Sequence, residues 1–421
     1  FTSHQLIASC AATFSLIPTS DFRLPTYLKL SNNKNMATYY VSGTGNDKSA
    51  GLSQGAAFRT LQRAGDLVKA GDTVLVMNGT YTNKYPNILS LNDKDGRADA
   101  PIIFKAMDGH KPVLQAGSHN WNAIAITGSS YIEIEGLTLK GARDKITLSQ
   151  ALSEKTNLNN PATSGNGINI TYRSTSAGKD RSHHITIDKN IVSNFPGGGI
   201  AAIEADYINV ENNTVSGNAW YSPFGTQGIS FLHLWDSDGN TTSNKIVVKN
   251  NTVFNNKQLV PWIGSREGKI TEGHGIMVDR AYIGNDLYDG KILIEDNLVY
   301  KNGGSGIQIF RADGPVDILH NTTYQNSQVL PLPEVFINNS DDANVQENIL
   351  FGKGKLSVIS APNSTGFEIE GNLLYNGSYG KETTDNITGL DPLFVNAGGG
   401  NFNLKSNSPA ITGDAQLGIF I

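Results

Sequence analysis

From residue 131 onward the chain alternates apolar and polar residues in short bursts, and the bursts recur. The pattern is apolar-x-apolar, two polar residues, an asparagine, x, apolar. It reads YIEIEGLTL at 131–139, HITIDKNIV at 184–192, YINVENNTV at 207–215, KIVVKNNTV at 245–253 and KILIEDNLV at 291–299. It continues as PVDILHNTT at 315–323, a shortened NVQENILF at 344–351 and FEIEGNLLY at 367–375. Such alternation predicts strands with one face turned inward. The aligned asparagines are Asn190, Asn213, Asn251, Asn297, Asn321, Asn348 and Asn372, with Leu137 in the first copy. Their steps of 23, 38, 46, 24, 27 and 24 residues reduce to a base period of about 24, which is a solenoid period.

Leucine-rich repeats share that period, but their Leu-x-x-Leu-x-Leu frame is absent. The pattern therefore predicts an all-β chain, a single-domain right-handed parallel β-helix whose coils stack about 4.8 Å apart. An asparagine at the same bend of every coil can bond the one above it in a ladder. A second strand column begins with glycine: GINI (167–170), GIAA (199–202), GISF (228–231), GIMV (275–278) and GIQI (306–309). Placing its isoleucines inward turns Asn169, Ala201, Ser230, Met277 and Gln308 outward. Apolar residues at helical spacing over 58–68 predict an N-terminal amphipathic helix cap over the first coil, since an open solenoid end exposes core and unpaired strand edge. Residues 391–410 are expected to close the other end.

Composition supports the same reading. The chain of 421 residues has 45 Gly and 44 Asn, with 38% hydrophobic and 17% charged residues. That suits short strands and tight turns and is poor for helices. A net charge of −5 without a long Lys/Arg run sets nucleic-acid binding aside. The single cysteine excludes a disulfide framework. No apolar run is long enough to span a membrane. Residues 1–35 include Leu6–Ile17, an apolar run of signal-peptide length; they are expected to be a signal or leader, or an unstructured extension, with 36–421 as the β-helix domain. Export, to the outside or the cell envelope, and a monomeric state are expected.

The period swells at particular places. Extra residues follow the second strand at 171–183, 232–244 and 280–290, and precede it at 140–165 and 257–273. All flank one strand column, so they should wall in a groove over that sheet, roughly across residues 165–315. Candidate groove residues are Asn169, Glu204, His233, Trp235, Asp236, Asp238, Lys269, Glu272, His274, Asp279, Arg280, Tyr282, Gln308 and Arg311. Several have plain structural alternatives. Asp236 and Asp238 can make an Asx turn, His274 can be a satisfied turn histidine, Trp235 can be core, and the arginines can be exposed ion-pair partners.

The opening YYVSGTGND (39–47), FRTLQRA (58–64), GDTVLVMNGTY (71–81), the repeated coils and the closing DPLF together resemble the bacterial right-handed β-helix polysaccharide lyases, nearest to the pectate-lyase-like family 9 type. The resemblance implies a lyase that cuts an acidic, uronic-acid-containing polysaccharide by β-elimination. Family members carry a lysine base in a Gly-Asn-Gly-Phe-Lys-Leu stretch. Here Gly273-His274-Gly275-Ile276-Met277-Val278 stands in its place, with Met277 at the lysine position. Elimination needs the carboxylate beside C5 neutralised. Ca²⁺ held by Glu204, Asp236, Asp238 and Glu272, with Asp279, would do it; so would Arg280, Arg311 and Gln308 without metal. The base would come from His233, His274, Lys269 or Arg280, and substrate contacts from Asn169, Trp235, Gln308 and Tyr282. A glycoside hydrolase or epimerase on the same scaffold, with a carboxylate pair drawn from Glu204, Asp236, Glu272 and Asp279, is the first alternative. A non-catalytic carbohydrate-binding β-helix is the second.

Overall fold

The computed structural model describes residues 36–265, 268–312, 314–380, 385–413 and 415–419; the leader expected over 1–35 lies outside them. Met36–Ile421 forms one unit. Successive coils add a strand to each of three parallel sheets in chain order. The ladder sheet runs through eleven strands from Thr38–Val41 to Glu368–Glu370, and a second eleven-stranded sheet from Thr80–Tyr81 to Ile387–Thr388. The groove sheet has nine strands, from Asn87–Asn92 to Ile359–Ser360. Inward residues stack in register. Ile132, Ile185, Ile208, Ile246, Ile292 and Val316 form one such column, all buried.

The expected asparagine ladder is present. Each side-chain amide donates to the next carboxamide oxygen from Asn190 through Asn213, Asn251, Asn297, Asn321 and Asn348 to Asn372, at 2.9–3.1 Å. Asn251 also donates to the carbonyls of Val210 and Lys249, at 2.8 and 3.0 Å. The amides thus satisfy backbone groups at a buried bend that no strand can pair. A second ladder runs Asn218, Asn256, Asn302 and Asn326 and ends on the buried carboxylate of Glu334. It lies at the bend leading into the groove sheet. Glycine stands before the first core isoleucine in five groove strands, at 167, 199, 228, 275 and 306, because the coils touch there: a Cβ on Gly228 would sit 2.6 Å from the Gly275 carbonyl oxygen and 2.8 Å from the Asn256 amide.

The cap helix spans Leu61–Leu67, with the Thr60 side chain accepting from the Arg63 N–H at its start. It buries Leu61 and Ala64. Its Gln62 amide bonds both the N–H and the carbonyl of Ser90, pairing the open edge of the groove sheet. The swollen coils become a hairpin (Arg173–Thr175 with Gly178–Asp180), a smaller one (Tyr282–Ile283 with Asp286–Leu287), two short helices (Leu148–Ser153 and Pro161–Ser164) and irregular loops. Among the described residues no helix is long and apolar enough to cross a membrane.

Candidate active site

The groove strands set the site by register. Asn169, Ala201, Ser230, Met277 and Gln308 stand side by side on successive strands, facing away from the core isoleucines. Two positions beyond, on the same outward face, Ile203, Leu232, Asp279, Phe310 and Asn338 align at the strand ends. The next residue of each coil, Glu204, His233, Arg280, Arg311 or Asn339, has φ between 50° and 55°. This left-handed bend turns the chain toward the ladder sheet and brings residues far apart in sequence into one column, since neighbouring strands lie about 4.8 Å apart.

Above the strands is a cleft of about 510 Å³, lined by Asn169, Ala201, Ser230 and Met277 on the floor and by Trp121, Phe224, Trp262 and Gln227 from the loops. Glu272, Asp279 and Arg280 reach into it. Glu272 is 9% exposed. Its Oε2 accepts from the Gln227 amide, and its Oε1 accepts from the Thr271 hydroxyl at 3.2 Å. A Cβ on Gly225 would come within 3.3 Å of the carboxyl. Burial pushes the Glu272 carboxyl up to about 7; the Gln227 bond opposes this and the charge of Asp279 adds to it. Burial also raises Asp279, against the pull of Arg280, His233 and Arg311. The buried Oδ1 of Asp279 has no hydrogen-bond partner among the described residues, an unmet acceptor of the kind that clusters at functional sites.

His233 sits beside Asp279, its Nδ1 3.2 Å from the Tyr282 carbonyl and its ring edge-on to the Tyr282 ring. Arg280 contacts Asp279 at 3.8 Å. Arg311 lies over the Phe310 ring. Gln308 flanks Met277 in register and keeps a buried oxygen without a partner among the described residues. Asn169, Glu272, Asp279 and Arg280 are thus gathered in one cleft, with His233, Tyr282, Gln308 and Arg311 at its margin.

Other expected site residues lie elsewhere. His274 is fully buried, with Nδ1 accepting from the Ser305 N–H, and burial lowers its pKa to about 4. It is a neutral structural histidine out of reach of any substrate, because the turn before the groove strand points inward. Glu204 is closed off by ion pairs to Lys179 and Arg181 of the first hairpin. Trp235 packs near Arg181 and His183, toward the ladder sheet. Lys269 is exposed on the loop whose Trp262 N–H bonds its carbonyl. Asp236 and Asp238 leave the groove and, with Asp206, surround Lys245. The sequence reading passed over Trp121, Phe224, Gln227 and Trp262, which come from irregular loops without a repeating register. The rarity of tryptophan was the one available signal.

These placements decide how well the expected acids suit calcium. Glu204, Asp236, Asp238 and Glu272 do not converge. Oxygens of Asp206, Asp236 and Asp238 do lie within 4.8 Å of one another, but the Lys245 ammonium bonds all three, at 3.1, 2.6 and 2.6 Å. Ca²⁺ needs 6–8 oxygens around a free centre. The residues present do not fit it.

A family model described as "Pel9A-like, right handed beta helix region" matches residues 39–338. The chain belongs to that family. Pectate lyase Pel9A has the same fold, with a TM-score of 0.54 at 16% identity, covering 91% of this chain and 96% of that one. An alginate lyase from a Paenibacillus species aligns with a TM-score of 0.49 at 16% identity over 77% of this chain and 96% of that one. In sequence, a lacto-N-biosidase of Bifidobacterium longum subsp. longum is 26% identical over 331 residues, 68% of this chain and 19% of the relative. The chain thus spans about a fifth of that relative's length. At these identities the structural likeness shows the fold alone, so the site must decide the chemistry.

Proposed function

We propose that this chain is a glycoside hydrolase acting in the groove. One observation carries the reading: Glu272 and Asp279 share the cleft, and burial holds the Glu272 proton to about pH 7. Glycosidic cleavage requires one protonated and one ionised carboxyl flanking the bond, separated by their environments. Glu272 is the general acid. It protonates the leaving glycosidic oxygen while its other oxygen stays bonded in the cleft wall. Asp279, which lines the cleft, is the nucleophile or the base toward water, with Arg280, His233 and Arg311 favouring its charge. Trp121 and Trp262 offer flat faces to sugar rings. Asn169 and Gln308 offer amides to hydroxyls. Among the lining residues two acids stand against one arginine, a balance suited to an uncharged saccharide.

β-Elimination on a uronic-acid polymer is the second reading. It is favoured by Arg280 and Arg311, which stack on successive coils at the end of the groove strands and could neutralise a uronate carboxylate without metal. His233 or Arg280 would then be the base, since His274 is buried and Met277 replaces the lysine. A panel of neutral and uronic-acid polysaccharides separates the two. Hydrolysis releases reducing ends with no unsaturated product. Absorbance from a new C4–C5 double bond, rising together with the reducing ends, would overturn the hydrolase reading. Loss of the hydrolytic signal in Glu272→Gln and Asp279→Asn would support it.

A further inference from the structure

The cluster at Lys245 lies outside the cleft and is built with unusual completeness. Lys245 is 0% exposed. Burial alone would lower its pKa, yet bonds from Asp236, Asp238 and Asp206 raise it above the ordinary lysine range. Burial would likewise raise Asp236, but Lys245 and the N–H groups of Gly239 and Asp238 bring it below the usual carboxylate value. The Lys245 bond, then those of Asn240 and Tyr207, hold Asp238 at about 2.

The remaining oxygens are largely spoken for. Asp206 Oδ2 accepts from the N–H of Ser237 at 2.9 Å and from its hydroxyl, and Oδ1 accepts from the Tyr288 hydroxyl at 2.8 Å. Asp238 Oδ2 accepts from the Tyr207 hydroxyl at 2.8 Å. The lysine stem also has its own channel. A Cβ on Gly290 would lie 2.5 Å from Lys245 Cδ and 2.8 Å from the Tyr288 ring, so only glycine leaves room there.

We infer that Lys245 is a built-in cation standing where a divalent ion would otherwise be needed. It is a positioning residue for the groove. Asp236 and Asp238 belong to the loop that begins at His233. Tyr288 belongs to the next coil's loop, which begins at Arg280 and contains Tyr282. Asp206 starts a ladder-sheet strand. The ammonium therefore ties one groove loop to the rigid sheet directly, through Asp236 and Asp238, and the next through Asp206, which also holds the Tyr288 hydroxyl; together they fix His233 and Arg280 beside Asp279. An ammonium supplies three directed donors, and three oxygens receive them here. Unlike a bound ion, it cannot be removed by a chelator.

The inference concerns metal and stability, so its test is independent of which glycan is cut. In the full chain, terbium and calcium are the probes. The tyrosines beside Lys245, 207 and 288, would sensitise terbium bound in the triad. The wild type is expected to show no sensitised luminescence at micromolar terbium, and no change of Tm between EDTA and millimolar Ca²⁺. Lys245→Ala frees three oxygens already within calcium-binding reach of one another. It should melt several degrees lower in EDTA, recover part of that loss in Ca²⁺ and acquire the terbium signal. Sensitised terbium in the wild type, or a Ca²⁺-dependent rise in its Tm, would overturn the inference. So would a Lys245→Ala protein that responds to neither ion. If that variant does not accumulate, Asp238→Asn, at the exposed side of the cluster, gives the second reading. It should lower Tm equally in EDTA and Ca²⁺, whereas a loss seen in Ca²⁺ alone would show that Asp238 serves a metal.

Discussion

The charge of Asp279 helps to keep the proton on Glu272: the two acids stand seven positions apart in the chain and line the same cleft. Glu272 approaches from the loop before the groove strand Ile276–Asp279, and Asp279 is that strand's last residue. A single strand thus carries the reacting carboxylate at its end and, through the loop leading into it, presents the proton donor.

The pH profile follows from the direction of the Glu272 shift. As a general acid it must be protonated, so kcat/KM should fall as pH rises through about 7. Glu272→Gln should lower kcat by ~10²–10⁴-fold and remove that limb. The same shift acts on stability. The folded-state pKa lies above the ordinary 4.5, so its contribution is full below about 4.5 and is lost as pH rises to about 7. Tm measured from pH 4.5 to 8 should decline less in Glu272→Gln than in the wild type.

Arg311 lowers the Asp279 pKa. Arg311→Ala should therefore move the acid limb of the rate profile to higher pH, with kcat near the optimum reduced by roughly tenfold, about 1.4 kcal/mol. A purely structural role would lower Tm and leave the limb in place.

Trp262 contributes a ring to the cleft and no proton chemistry. Trp262→Ala should raise KM by roughly tenfold with kcat nearly unchanged, the signature of binding shared by ground and transition states. Steady-state kinetics on an oligosaccharide long enough to fill the cleft would show it.

His274→Ala should leave activity per folded molecule within a few-fold of wild type, because the ring is sealed in the core. It should lower stability by about 1–3 kcal/mol, since the Ser305 N–H loses its acceptor. Denaturant melts alongside active-site titration would separate the two effects.

Asn251→Ala removes a side chain that donates to Val210, Lys249 and Asn297 and accepts from Asn213. Several buried groups lose partners at once, so a loss of about 3 kcal/mol or more is expected in urea unfolding.

Much of the rod was legible in the chain. The asparagine column appeared at the right positions because each coil repeats one buried bend, and only a short amide serves the backbone there. The second ladder was equally readable: Asn218, Asn256, Asn302 and Asn326 each follow a first-ladder asparagine by five residues. The outward series Asn169, Ala201, Ser230, Met277 and Gln308 was placed correctly because strand alternation has a fixed period of two. Asp279, Arg280 and Arg311 could be read for the same reason, being anchored to strand ends.

The loops obeyed no such period. Asp236 and Asp238 lie only four and six residues beyond the strand end at Leu232, yet they turn to the ladder sheet because a buried ammonium nine and seven positions later draws them there. His274 looked like a base by type and place, and its pKa near 4 comes from desolvation that only packing creates. Local periodicity specifies which residues face in or out, since strand geometry is the same wherever it occurs. Charge pairing, burial and the meeting of Glu272 with Asp279 depend on what the neighbouring coils bring close, and that was decided by three-dimensional packing alone.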